Sequence, residues 1–422
     1  MQKTTKRLAA ALLALGASAA MAQTTGMKYI STPGDYIGQG QTQVFQPPAA
    51  TISAYDATTS VVHVGVNDPS NNWTLDFAAP SGVALAGTSF PDAMRYPFQS
   101  PLGAGLSMEG DGRGCNTLKG WFRVHEYVLD KSGNVKKLAV DFLQNCEVTM
   151  PPLYGVVRIN SKFPLTIPET VAIAGRDVTV IAGQTATLDG TQSFTRKHSP
   201  LAYSWSQLDG PAVTLANPTS ATPSFVAPNI DTATATLHFR LTTTDSAGDT
   251  STDDVVAIVE GASAPRTSLD FRGDPGDYIS GGQTWHYDTY NSSIVFSRNF
   301  DNGVSASVNG DAWWNFDSAT PSGHTYHVGT FKNAQRYPFQ SATAPGLSLY
   351  GDGRGCNTLT GQFTVYQIEF DTAGNPKTAD ITFTQHCEGG PAASYGELLL
   401  NAVPHATVAK QLKAARQQFP RQ

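Results

Sequence analysis

Gly110–Leu118 reads GDGRGCNTL, and Gly351–Leu359 repeats it letter for letter. The offset is 241 residues (351 − 110), and it holds well beyond the nonapeptide. Pro33-Gly34-Asp35-Tyr36-Ile37 is echoed one residue further along by Pro275-Gly276-Asp277-Tyr278-Ile279. Trp73 matches Trp314, Pro80-Ser81-Gly82 matches Pro321-Ser322-Gly323, and Arg95–Ser100 (RYPFQS) matches Arg336–Ser341. Cys146-Glu147 and Tyr154-Gly155 return as Cys387-Glu388 and Tyr395-Gly396. The chain is therefore a duplicated module with something else between the copies.

Within each copy the hydrophobic period is two. In Gly120–Val128 the residues Phe122, Val124, Glu126 and Val128 alternate with Trp121, Arg123, His125 and Tyr127. In the second copy Phe363, Val365, Gln367 and Glu369 alternate with Thr364, Tyr366, Ile368 and Phe370. Alternating aromatic and β-branched runs of this length predict antiparallel strands. Asp130–Asn134 and Asp371–Asn375 end in Gly-Asn and predict hairpin turns. The strands that follow return a cysteine to the GDGRGC turn.

The cysteines number four, with Cys115 and Cys146 separated by 31 residues and Cys356 and Cys387 by the same 31. Equal spacing in duplicated contexts predicts one disulfide inside each copy, formed in an oxidising compartment. No CxxC or HxxxH spacing supports a metal site instead. Lys3, Lys6 and Arg7, the apolar run Leu8–Ala19 and Ala20-Met21-Ala22 read as a signal peptide cleaved before Gln23. The run is short of the ~20 apolar residues that span a bilayer, and no later stretch is long or apolar enough to cross. Removing those three basic residues takes the formal charge from −6 to −9. With no basic excess, nucleic acid is not an expected partner.

Between the copies the character changes. Val178-Thr179-Val180-Ile181, Asp189-Gly190-Thr191-Gln192-Ser193, Leu201–Gln207 with Trp205, Pro223–Pro228, and Leu237–Gly248 ending TTTDSAG carry no cysteine. These residues resemble a PKD-type immunoglobulin-like domain of secreted bacterial proteins. The resemblance implies a seven-strand β-sandwich with Trp205 in its core, used as a spacer or adhesion module without catalytic residues. The flanking copies are similar to a repeat of secreted bacterial proteins, with the same W…PSG…RYPFQS…GRGCNTL…C-E order, and this likeness brings no activity with it.

The expected plan is an all-β chain of three β-sandwich domains: signal peptide 1–22, first copy 23–163, PKD-type domain 164–262, second copy 263–404, and a short helical or disordered tail 405–422. The candidate binding or hub residues are Arg95, Tyr96, Phe98, Asp111, Arg113 and Glu147, with Arg336, Tyr337, Phe339, Asp352, Arg354 and Glu388 in the second copy. An enzymatic reading pairs Asp111 with Glu147 for acid–base chemistry. A structural reading gives Asp111 a tight turn and pairs Arg113 with Glu147. A calcium reading takes Glu109, Asp111 and Asn116, but Glu109 becomes Tyr350 in the second copy. Trp73, Trp314, Trp121 and the Trp313-Trp314 pair are candidates for stacking on sugar rings or for the core. No G-x-S-x-G, HExxH or cofactor motif is present. The leading expectation is non-enzymatic recognition of a glycan or another surface component at or outside the cell envelope. An envelope assembly protein and a carboxylate-pair hydrolase are the alternatives.

Overall fold

A computed structural model describes residues 23–87 and 89–405. The signal-peptide expectation and the tail beyond His405 lie outside the described residues. The fold is all-β. Each flanking copy is one ten-stranded sheet. In the first copy the strands are β1 (Thr24–Ser31), β2 (Thr42–Phe45), β3 (Thr51–Tyr55), β4 (Val61–Asn67), β5 (Asn72–Ala78), β6 (Ser89–Arg95), β7 (Gly105–Gly110), β8 (Leu118–Leu129), β9 (Val135–Cys146) and β10 (Leu153–Ser161). Their order across the sheet is β2-β1-β10-β9-β8-β6-β7-β5-β4-β3. The second copy has the same ten-strand order, from Arg266–Gly273 to Ser394–Ala402. Every neighbouring pair is antiparallel except β6 with β7 and its counterpart, Gly329–Arg336 with Gly346–Gly351.

Alternation explains why these residues form strands with one dry face. Val62, Val64 and Val66 of β4 and Trp73, Leu75 and Phe77 of β5 are fully buried. The sheet rolls over so that its two halves share this core. Tyr29 of β1 meets Trp73 of β5 edge-on at 5.8 Å, although those strands hold the second and eighth places in the sheet. Phe77 of β5 meets Phe142 of β9 at 5.7 Å. The second copy repeats the arrangement with Phe271 edge-on to Trp314 at 4.8 Å. The two layers of each sandwich are thus halves of a single continuous sheet.

Strict alternation fails at several β-bulges, and the first one in β8 changes the facing expected above. β8 carries a bulge between Val124 and Glu126, and its counterpart carries one between Val365 and Gln367. The extra residue flips the faces. Tyr127, rather than Glu126, joins Phe122 and Val124 against the core. In the second copy Ile368 and Phe370, rather than Gln367 and Glu369, follow Phe363 and Val365 inward.

The middle module has Trp205 buried among Leu237, Phe239, Leu241, Val255, Ala257 and Val259, with its indole N–H donating to the Ser220 carbonyl at 3.1 Å. Instead of seven strands it has a four-stranded sheet and two two-stranded ribbons. Pro211, Pro218, Pro223 and Pro228 interrupt the opposite layer, because proline removes a ladder donor.

Candidate functional site

The Gly110–Leu118 stretch is a hairpin tip followed by the first half-cystine. Asp111 and Gly112 both lie at positive φ (50° and 74°), and Gly110 and Arg113 exchange backbone hydrogen bonds of 2.9 and 2.8 Å. Asp-Gly is the pair that such a two-residue turn favours. A Cβ at Gly110 would sit 2.0 Å from the Asn72 carbonyl oxygen, so this position accepts only glycine. Asp352-Gly353 forms the same turn.

Arg113 is folded back over the buried Trp73 ring, 5.1 Å from guanidinium carbon to centroid, and donates to Asp111 at 3.3 Å. Arg354 lies between Trp314 and Trp285, at 5.0 and 5.4 Å, and donates to Asp352 at 2.8 Å. The expected Arg113–Glu147 pair is therefore corrected: the arginine is held within its own turn. Glu147 instead accepts from the Asn116 amide at 2.8 Å and the Thr117 hydroxyl at 3.1 Å. Glu388 accepts from the Asn357 amide and from the Thr358 hydroxyl, the latter at 3.0 Å. These bonds, led by the Asn116 and Asn357 amides, hold both glutamates below the ordinary carboxylate range. A general acid needs the opposite shift. Asp111 and Glu147 thus serve separate partners.

The disulfides close inside each copy, Cys115–Cys146 with Cα atoms 5.1 Å apart and Cys356–Cys387 at 5.0 Å. Beside each lies a glutamine that sequence reasoning passed over. Gln144 accepts from the Met108 amide at 2.9 Å and donates to the Met108 carbonyl at 3.0 Å. Gln385 does the same with Leu349, at 2.8 Å both ways. β6 pairs with β7 only as far as Arg95 and Leu106. The buried amide takes the place of the next strand residue. The available signal was Gln two residues before the second cysteine in both copies.

The RYPFQS loop leaves β6 at this point. Arg95 donates to the Asn116 carbonyl and Arg336 to the Asn357 carbonyl, each at 3.3 Å. These bonds tie the loop to the CNTL segment in both copies. Arg95 also lies 4.9 Å over Phe98, and Arg336 lies 4.8 Å over Phe339. The two phenylalanines are 70% and 72% exposed. The tyrosines are less available. Tyr337 is buried against Phe300, and burial pushes its phenol upward. Tyr96 is half-buried, edge-on to His63 at 5.4 Å, and His63 bonds Asp76 at 2.6 Å. Burial raises Asp76 and Asp317. Trp73 and Trp314 are fully buried core residues, Trp121 is buried against Val171 and Ile173 of the middle module, and Trp313 is exposed. Asp35 and Asp277 are buried turn-formers, accepting from the Gly38 and Ser280 amides at 2.7 Å. Among the described residues no three His, Cys, Asp or Glu side chains gather to hold a metal ion.

Residues 174–259 match a family of PKD domains. The middle module is a PKD-type domain. The match stops short of both flanking copies. No curated protein matches the chain. Among solved structures, the PKD domain from KIAA 1837 protein is 26% identical over 24% of this chain and 96% of that one, with a TM-score of 0.20. A nucleoside hydrolase-related protein from Saccharophagus degradans, associated with carbohydrate metabolism, is 20% identical over 22% of this chain, with a TM-score of 0.20. This chain spans only 25% of that protein's length. Drosophila N-cadherin EC1-4 is 9% identical over 89% of this chain and 97% of that one, again with a TM-score of 0.20. Scores this low establish no common fold over the whole chain. No helix among the described residues is long and apolar enough to cross a membrane.

Proposed function

We propose that this is an exported recognition protein of the adhesion type, in which two similar modules on a PKD-type spacer bind a glycan of the cell envelope or surroundings. The units are the two copies, 23–163 and 263–404, and the spacer, 164–262. The observation that carries this reading is the duplicated Arg95–Phe98 and Arg336–Phe339 knuckle. Each presents a largely exposed aromatic face beside a guanidinium. Such a pair offers a flat surface to sugar C–H groups and donors to hydroxyls or carboxylates. Two closed disulfides and a PKD-type domain support an extracellular setting. Two weak sites on one chain gain by avidity when both engage one surface. A glycan array probed with the mature chain tests the reading. Retention on a defined glycan class supports it, and no retention on any glycan refutes the ligand class.

A further inference from the structure

The two copies meet the spacer through chemically different joints. In the first, Tyr154, Val156 and Ile167 form an apolar cluster with Phe194 of the spacer. Trp121 packs with Val171 and Ile173. Arg123 adds an ion pair with Asp253 and a 2.7 Å bond to the Thr252 carbonyl. On the same face Arg158 is fully engaged, with Asp141 at 2.6 Å, the Val140 carbonyl at 2.7 Å and the Pro164 carbonyl at 3.0 Å.

The second copy replaces these groups at the 241-residue offset. Ala139 becomes Asp380 and Val156 becomes Glu397, while Asp141 and Arg158 become Thr382 and Leu399. Asp380 and Glu397 are both buried, a diagonal pair on neighbouring strands whose registers are Asp380 with Leu399 and Thr382 with Glu397. Arg266, also buried, lies 3.8 Å from Glu260 of the spacer and donates to the Gly261 carbonyl at 3.1 Å. It is attracted to Glu260 and Glu397 together. The His405 amide donates to Glu397 at 3.0 Å, and the His405 ring stacks on Tyr366 at 3.7 Å. Asp270 is the cross-strand neighbour of Glu397, and His286 bonds Asp270 at 2.6 Å and Asp288 at 3.0 Å. Asp380 Oδ1 and Arg266 Nε are buried without hydrogen-bond partners. The joint is therefore acid-rich and under-bonded at Asp380 and Arg266, where its counterpart combines apolar clusters with arginines whose partners are in place.

We propose that the joint between the spacer and the second copy is a proton-held clamp, closed while Asp380 and Glu397 share a proton and released as that proton is lost. Two ionised carboxylates cannot stay in contact in a buried site. Loss of the proton draws Arg266 toward Glu397 and away from Glu260, and the spacer loses its hold. Burial first, and the Asp380 charge second, raise Glu397 to about 8, and burial raises Asp380 to about 6. The closed joint binds the proton more tightly than an open one with ordinary carboxyls. Opening therefore becomes more favourable as pH rises and levels off above about 8.

Small-angle scattering of the full chain between pH 5 and pH 9 tests the clamp. The expected result is a radius of gyration that rises as pH goes from 5 to 8, with the opening constant growing about tenfold per pH unit while one proton is released, then a plateau above about 8. Glu397→Gln and Asp380→Asn, each keeping hydrogen-bonding capacity, should abolish the rise. A wild-type profile unchanged from pH 5 to 9 overturns the proposal. So does a change confined to pH values above 8, which decides the matter even if a variant fails to fold, and so does a rise that persists in both folded variants.

Discussion

Gln144→Leu should destabilise the first copy by about 2–4 kcal/mol, taking the two unpaired Met108 groups at about 2–2.5 kcal/mol each and the leucine return at about 1–2. The side chain is fully buried and bonds both polar groups of Met108, at 2.9 and 3.0 Å. Leucine keeps the volume and removes both bonds. Leaving the Met108 amide and carbonyl buried without partners costs about 1–3 kcal/mol each, and the added apolar burial of leucine returns roughly 1–2 kcal/mol. For a module of this size the net loss corresponds to a fall of about 6–12 °C in the melting transition of that copy. Calorimetry on the full chain resolves the effect, and Gln385→Leu should move the transition of the second copy by a similar amount. A loss below about 1 kcal/mol in both variants would show that water or a backbone shift replaces the amide, and the strand-substitute account would fail.

Replacing Cys115 and Cys146 together by serine should cost about 3–4 kcal/mol through the freed 31-residue loop, as read by urea unfolding; a loss under about 1 kcal/mol would contradict it. Arg113→Lys gives up the guanidinium over Trp73 and should lower stability by about 1 kcal/mol, with a change in tryptophan emission. Arg95→Lys, whose partners are the Asn116 carbonyl and the exposed Phe98, should leave stability within about 0.5 kcal/mol and weaken surface binding instead. The second copy should lose stability as pH rises. The folded value of Glu397 lies at about 8, above the ordinary 4.5, so the stabilisation is full below 4.5 and is lost on the way to 8. Chemical denaturation at pH 5 and pH 8 checks this, with Glu397→Gln as the flat control.

The fold class was legible because duplication and period two are both written in the side chains. Identical cysteine spacing gave the two disulfides, and the TTTDSAG region gave the PKD-type module. Facing was legible only as far as the bulge at Val124–Glu126, since one extra residue reverses the side chains that follow it, up to the next bulge at Val128–Leu129. The switch of apolar positions to Ile368 and Phe370 was its trace in the second copy. Arg113 was misassigned because a charge partner two residues away competes with one brought near by a disulfide, and sequence spacing does not rank them. The core placement of Trp73 and Trp314 was legible in their alternation with Leu75, Phe77 and Phe316, whereas their partners Tyr29 and Phe271 follow from the rolling of the sheet, a long-range event with no local signature. The Asp380–Glu397 contact was illegible for the same reason: its members sit 17 residues apart (397 − 380) on neighbouring strands, and only their apolar counterparts Ala139 and Val156 mark them as unusual.

The most direct test of the recognition account is binding of the full chain to an immobilised glycan surface, compared with Phe98→Ala, Phe339→Ala and the double variant. If each exposed knuckle is a site and the two act together, each single substitution should weaken retention by at least about 10²-fold, through lost avidity. The double variant should show no retention, with all three melting as the wild type does. Undiminished retention of the stable double variant would contradict the claim that these duplicated loops are the binding surface.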